Sequence, residues 1–383
     1  MSNYAPPPAT FVRGEGSRLY DVEGKSYLDF VGGLAVASLG HSHPEVAEAV
    51  AAQARTLVHV SNLYGNVVGP EVAATLDRLL GGGGQVFFSN SGAEANECAI
   101  KLARKWAGSV RAGARNESRY VVVSALGSFH GRTLATLHAT GQPAKHKGFA
   151  PLPEGFRHVP LNDVDALAAA AAEPDVAAIL LEPLQGEGGV NEVSHELFVA
   201  ARRLCDEHGL LFMVDEVQTG LGRTGRWFGF EHFDVRPDVV TMAKALGNGM
   251  PVGACWARAE VSAAFVPGDH GTTFGGQPLA TAAVRAVLAV MERERVPERA
   301  ELAGKRLRSG LAELPGVAHV RGLGLLLAAE LSSRGSREVA TAALAKGLLV
   351  NAVTPTALRF LPSLLVADEE IDKALSIMVD VLS

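Results

Sequence analysis

Cysteine is scarce: the 383 residues hold three, Cys98, Cys205 and Cys255, widely spaced and none in a CxxC pair. This speaks against both a disulfide framework and a thiolate zinc site, and a reducing cytoplasm suits the chain best. Blocks of like charge are also missing. The net charge of -6 comes from 41 acidic and 35 basic residues spread along the chain, which offers nucleic acid no basic face. No stretch approaches the roughly 20 apolar residues that span a bilayer. Met1 to Thr10, with its Pro6-Pro7-Pro8 run, lacks the basic-then-apolar pattern of a secretory signal. Metal ligands are thin too: His41 and His43 have no third ligand at workable spacing, so a turn before Pro44 is the better reading. What the chain has in quantity is apolar: 48% hydrophobic against 20% charged residues, the profile of a soluble enzyme with a sizeable core. Its length suggests two domains.

The hydrophobic pattern alternates. Strand-like runs at Val86-Phe87-Phe88, Tyr120 to Val123, Val176 to Leu181, Leu210 to Val214 and Val239 to Met242 are separated by helical stretches such as Ala93 to Trp106 and Glu196 to His208. Pro44 to Val58 and Pro70 to Leu80 also have helical spacing, each with proline near its first turn. Alternation of this kind predicts an α/β fold with a mostly parallel sheet covered on both faces. After Gly276 the texture changes to helices at Pro278 to Arg293 and Arg299 to Leu314. Short strands at Leu323 to Ala329 and Leu348 to Val353 follow, then a helix from Glu369 to Leu382. We therefore expect a large α/β domain over 51–276 and a smaller α+β domain built from 1–50 and 277–383.

Two apolar runs end in a charge. Asp215 closes Leu-Leu-Phe-Met-Val-Asp, and Lys244 follows Val-Val-Thr-Met-Ala. Both should surface at the carboxyl edge of the sheet, where open α/β folds bind ligands. Alone, the first reads as a cap or ion pair and the second as a loop lysine. Together they meet the needs of pyridoxal phosphate, whose aldehyde bonds a lysine amine and whose ring nitrogen is kept protonated by a carboxylate. A phosphate cradle is available at Asn90-Ser91-Gly92-Ala93-Glu94, where a strand opens into a helix and N–H groups are free; Ser91-x-x-Glu94 reads equally as a capping box. Gly220-Leu-Gly222-Arg-Thr-Gly225 spells GxGxxG, but no helical period follows and no acidic residue stands about 20 positions on. We read it as a glycine-rich loop. Glu182, ending Ala-Ala-Ile-Leu-Leu, is either catalytic or a plain strand terminus.

With those residues in hand, the chain resembles the class III aminotransferases of fold type I, in particular the acetylornithine aminotransferase group, over nearly its whole length. The resemblance rests on Ser89-Asn-Ser-Gly-Ala-Glu-Ala-Asn96, Ser128-Phe-His-Gly-Arg-Thr133, Glu182-Pro-Leu-Gln-Gly-Glu187, Asp215-Glu-Val-Gln-Thr-Gly220, Ala243-Lys-Ala-Leu-Gly247 and Gly271-Thr-Thr-Phe-Gly-Gly276. It implies a fold type I architecture and pyridoxal 5'-phosphate as cofactor, with Ser91, Gly92 and Ala93 at the phosphate. It puts Phe129 and Val217 on the two ring faces, Asp215 at the ring nitrogen, Gln218 at the ring hydroxyl and Lys244 as the covalent anchor. It also implies that Thr273 reaches the phosphate of a neighbouring subunit, hence a homodimer with shared active sites.

For substrate, the resemblance puts Arg132 on a carboxylate with Thr272 close by, Arg359 on a second carboxylate, and Glu187 over Arg359 as a removable mask. Arginine suits both places through its planar fork of donors. Leu34 falls where ornithine aminotransferases carry a substrate-binding tyrosine, and an apolar residue there implies a donor with a blocked α-amine. The implied reaction takes the distal amine of N2-acetyl-L-ornithine to 2-oxoglutarate, in arginine biosynthesis. The alternatives are a carrier-protein-linked lysine aminotransferase of lysine biosynthesis and a 4-aminobutyrate or ornithine aminotransferase. Further off stand an aminomutase of the same fold, a binding protein without chemistry, and a nicotinamide dehydrogenase using the GxGxxG loop.

Overall fold

The computed structural model describes residues 1–110 and 119–383. Its centre is a seven-stranded sheet, whose strands we number in chain order: β1 Gly84–Ser89, β2 Val121–Ala125, β3 Phe156–Val159, β4 Val176–Leu181, β5 Leu211–Asp215, β6 Val239–Met242 and β7 Gly253–Arg258. They lie in the order β1-β7-β6-β5-β4-β2-β3. The pairs from β6 through β3 are parallel, whereas β7 runs antiparallel to both β6 and β1. Every residue of β4, β5 and β6 is buried. Alternate side chains enter different cores: Ile179, Leu181, Phe212 and Val214 join one, while Leu180, Leu211 and Met213 join the other. Burial on both faces explains why these strands read as unbroken apolar runs, and each fully buried Val, Leu or Ile contributes about 1.5–3 kcal/mol.

Helices Gly92–Val110, His195–His208 and Pro278–Arg293 follow the sequence pattern to within a few residues. Ser194 caps the second by accepting from the Leu197 N–H, and Gly209 ends it in the left-handed conformation (φ 61°). Among the described residues no helix is long and apolar enough to cross a membrane.

The C-terminal part holds an antiparallel sheet of Val317–Leu323, Leu326–Leu331, Ala357–Phe360 and Asn351–Ala352. The apolar run Leu323 to Ala329, expected as one strand, is a hairpin corner: Leu323 pairs with Leu326 across Gly324, whose φ of 53° turns the chain. Continuous hydrophobicity conceals this turn because Leu325 to Ala329 are buried and Leu323 is half-buried. The run Leu348 to Val353 is likewise split. Leu348–Leu349 runs parallel to Ser26–Asp29, in a sheet with Phe11–Glu15 and Arg18–Asp21, while Asn351–Ala352 joins Ala357–Phe360. The N-terminal strands are thus stitched to the C-terminal part of the chain.

Candidate active site

The carboxyl ends of β5 and β6 open into a cavity of about 360 Å³, and Asp215 and Lys244 both line it. In the parallel register Asp215 faces Thr241, so Lys244 lies three residues beyond that partner. Lys244 has φ 44°, a left-handed backbone that is uncommon for a residue with a side chain. Strain of this kind collects at functional sites, where the surrounding fold holds it. Burial pushes the lysine pKa down, and Arg359 adds to the effect against the pull of Glu187, Asp215 and Glu182. A larger share of neutral, nucleophilic amine follows.

Asp215 is 3% exposed and fully engaged. Its Oδ2 accepts from Asn96 Nδ2 at 2.8 Å and stands 2.8 Å from His130 Nδ1, and its Oδ1 accepts from the Val217 N–H at 3.0 Å. Asn96 is itself held, donating to the His130 carbonyl and accepting from Thr241 Oγ1 at 2.7 Å. Neither Asn96 nor His130 had a role in the sequence reading. Both lie inside quoted motifs, but their meeting point is 119 and 85 residues away in the chain. His130 Nε2 is buried without a hydrogen-bond partner among the described residues.

Across the cavity, Ser91, Gly92 and Ala93 begin helix Gly92–Val110. Ser91 Oγ accepts from the Glu94 N–H, and Glu94 Oε2 accepts from the Asn90 N–H at 2.6 Å, so one of the two capping-box bonds is made and the other is shifted by one residue. A Cβ on Gly92 would lie 2.7 Å from Val217 Cγ1, which explains the glycine. Phe129 also lines the cavity, its N–H donating to Glu182 Oε2 at 3.0 Å. Burial, with the Asp215 charge, pushes Glu182 well above the ordinary carboxyl range. Glu182 thus follows the end of β4 and also lines the cavity.

Glu187 and Gln218 line the wall, and behind them lies Arg359, 1% exposed. Its Nη1 donates to Glu187 Oε1 at 2.7 Å, the Gly186 carbonyl at 2.9 Å and Gln218 Oε1 at 3.1 Å; Asn351 Oδ1 takes Nη2 at 2.8 Å. Burial alone would raise the Glu187 pKa, but Arg359 outweighs it and holds the carboxyl below its usual range. Arg132 is the opposite case. It is exposed at the cavity, 5.4 Å from the Phe129 ring centroid, and no carboxylate pairs with it among the described residues.

Thr272, Thr273 and Leu34 do not line this cavity. Thr272 lines a separate cavity of about 460 Å³ with Asn62, Tyr64 and Phe88, its hydroxyl accepting from the Gly275 N–H. Thr273 is exposed. Thr272 and Arg132 thus line different cavities within one chain. Leu34 is 40% exposed in a left-handed turn and lies outside the wall; Val36 lines the cavity instead.

The sequence pattern of the class-III aminotransferases matches residues 1–382. This chain belongs to that family. The aminotransferase is 51% identical to the acetylornithine aminotransferase of Caldanaerobacter subterraneus subsp. tengcongensis, over 100% of this chain and 97% of that protein. Among solved structures, the ornithine aminotransferase of Toxoplasma gondii, described with PLP at partial occupancy in its active site, superposes with a TM-score of 0.94. It shares 35% identity over 100% of this chain and 91% of that one. The acetylornithine aminotransferase of Elizabethkingia anophelis gives 0.88 and 34%, over 100% and 95%. The family fixes the cofactor of this aminotransferase as pyridoxal 5'-phosphate, and the cavity suits that group. It offers N–H donors at a helix start for a phosphate, an amine for an aldehyde, an anchored carboxylate for a ring nitrogen, and Phe129 and Val217 for a flat ring.

Proposed function

We propose that this aminotransferase moves the distal amine of N2-acetyl-L-ornithine to 2-oxoglutarate, giving N-acetylglutamate 5-semialdehyde and glutamate. The observation that carries the reading is a pair of unequal arginines: Arg132 open at the cavity, and Arg359 buried behind Glu187. A donor with one free carboxylate needs one receptor, whereas 2-oxoglutarate has two carboxylates and needs both. Glu187 covers Arg359 in the first case and leaves it in the second. Relatives 44–51% identical carry the name acetylornithine aminotransferase, which supports the choice.

Under this reading Gly92 and Ala93, with Ser91, would hold the cofactor's phosphate, Phe129 and Val217 its ring faces, Asp215 its nitrogen, Gln218 its hydroxyl and Lys244 its aldehyde carbon. When bound, the cofactor supplies an electron sink for the pair left as the substrate carbon loses its proton. The chain does the rest. Lys244 Nζ, kept short of protons by burial, takes up the proton that the amine-bearing carbon loses and hands it on, not back to that carbon. Asp215, held by Asn96 and His130, keeps a negative charge where a protonated nitrogen needs one. Arg132 orients the substrate through its carboxylate.

Thr272 and Thr273, remote from their own chain's cavity, together with exposed Leu63, Tyr64 and Phe274, support a homodimer in which Thr273 completes the partner's phosphate seat. A cytoplasmic enzyme, with residues 1–50 and 277–383 as its smaller domain and 51–276 as the larger, completes the proposal. The strand pairing of Leu348–Leu349 with Ser26–Asp29 supports that division.

Purified protein should absorb visible light, and Lys244→Ala should lose that band. Steady-state rates with 2-oxoglutarate should rank N2-acetylornithine above ornithine and 4-aminobutyrate. A clear preference for free 4-aminobutyrate would overturn the substrate; a colourless protein that binds NAD would overturn the whole reading.

A further inference from the structure

The loop Gly220–Gly225 takes no part in the site, yet it carries a buried cation that no carboxylate neutralises among the described residues. Arg223 is 1% exposed. Its Nη1 donates to the Pro362 carbonyl at 2.7 Å and the Leu325 carbonyl at 3.1 Å, and its Nη2 to Ser38 Oγ at 3.5 Å. Among the described residues its Nε has no hydrogen-bond partner, while its own carbonyl accepts from the Leu325 N–H at 2.9 Å. Burial lowers the guanidinium pKa to about 9, so the group stays charged at neutral pH. A buried charge without a counter-ion is costly, and an apolar residue of similar volume would pack at lower cost. The reason for an arginine is therefore sought in what its fork reaches.

Each segment it reaches serves the cavity. Pro362 is three residues beyond Arg359 on the chain. Leu325 lies in the corner before Leu326–Leu331, the strand on which Ala328 faces Arg359. Ser38 follows Val36, which lines the cavity, by two residues, and its carbonyl accepts from the Leu364 N–H at 2.7 Å. Arg223 itself is five residues beyond Gln218, the side chain that accepts from Arg359. The backbones approach closely here: a Cβ on Gly324 would lie 2.6 Å from the Arg223 carbonyl oxygen.

We infer that Arg223 is a positioning residue that sets the second carboxylate receptor, Arg359, against the Asp215–Gln218 segment and so controls affinity for substrates with two carboxylates. This rests on the proposal that Arg359 receives a carboxylate. Arg223 touches no reacting atom, so its effect belongs in KM for the dicarboxylate and not in turnover. The donor, held by Arg132, is outside its reach.

The test uses the full-length holoenzyme with Arg223→Met, Arg223→Lys and Gly324→Ala, reading each half-reaction separately by visible absorbance. Arg223→Met should raise KM for 2-oxoglutarate by about tenfold while the donor KM and kcat stay within about threefold, and Arg223→Lys should recover part of the loss. Gly324→Ala, which presses on the same junction and leaves the guanidinium intact, should reproduce the selective change and stands in if Arg223→Met fails to fold. Equal losses for both substrates, or a lower melting temperature with unchanged KM ratio, would overturn the inference. Arg359→Ala separates the two levels. If it leaves KM for 2-oxoglutarate unchanged, the two-receptor reading is wrong and this inference falls with it; if it raises KM and the Arg223 variants do not, only the inference fails.

Discussion

Replacing Glu187 by glutamine removes one negative charge and almost no volume. Glu187 Oε1 stands 2.7 Å from Arg359 Nη1 and 3.2 Å from Gln218 Nε2. Breaking a fully buried pair costs about 3–5 kcal/mol. Here the acid side chain keeps 27% of its surface exposed, and Arg359 retains acceptors at Gly186, Gln218 and Asn351. The lost interaction is accordingly about 1–2 kcal/mol. A substrate carboxylate that binds Arg359 must displace this contact first. Its removal should therefore lower KM for 2-oxoglutarate, and for glutamate in the reverse direction, by about five- to thirtyfold. The acylated donor, whose one carboxylate is taken by Arg132, should gain nothing, so the enzyme tilts towards substrates that carry a carboxylate on the reacting carbon, beside Arg359. Single-turnover absorbance traces with N2-acetylornithine, ornithine and glutamate measure each half-reaction separately. An unchanged ratio of kcat/KM between N2-acetylornithine and glutamate in Glu187→Gln would refute the mask and leave the pair a structural tie.

Asp215→Asn should weaken cofactor retention by about ten- to a hundredfold, the worth of one hydrogen bond to a charged group, with the melting temperature of the cofactor-free protein little changed. Fluorescence titration with pyridoxal phosphate reads this, and equal affinity would count against the ring-nitrogen assignment. Gly92→Ala drives a methyl to 2.7 Å from Val217 Cγ1 and should cost about 1–3 kcal/mol through overpacking; adding Val217→Ala should restore much of it, and no recovery in urea unfolding would refute the steric account. Glu216, buried and raised to about 7 from an ordinary 4.5, binds its proton more tightly folded than unfolded. Its favourable contribution is present below pH 4.5 and lost as pH rises through about 7, on the order of 3 kcal/mol across that window. Glu216→Gln should flatten the fall in stability between pH 5 and 8; identical pH slopes in the two proteins would contradict the burial argument.

How much of this was legible in the sequence varies with the physics. Strands β4 to β6 announced themselves because burial on both faces leaves them apolar but for Thr241 until a charge ends each run, at Glu182, Asp215 and Lys244. Strand β3, Phe-Arg-His-Val, was hidden by its two polar residues at the sheet edge, and β7 by a glycine start and an arginine end. The N-terminal strands, partly exposed and short, gave no clear alternation. In the site, side chains that meet the ligand space were recognisable by type. Those that hold other side chains, Asn96 and His130, were not, since nothing local tells an asparagine which carboxylate it will meet. Thr272 illustrates a related point, since it lines a different cavity from Arg132 within one chain: a motif carries residue identity but not which copy of the chain its residues face.

Helix Gly92–Val110 has a consequence for what can be seated in the cavity. Its first two residues carry the N–H groups suited to a phosphate, and Asn96, one turn later, grips the carboxylate suited to a ring nitrogen. Four residues of α-helix advance about 6 Å with little freedom to stretch. The helix is in effect a gauge: the separation between the two ends of a bound molecule is written into a rigid rod and not into loops. A ligand with the right groups but the wrong length can satisfy one end only, so molecules are sorted by span before any chemistry begins.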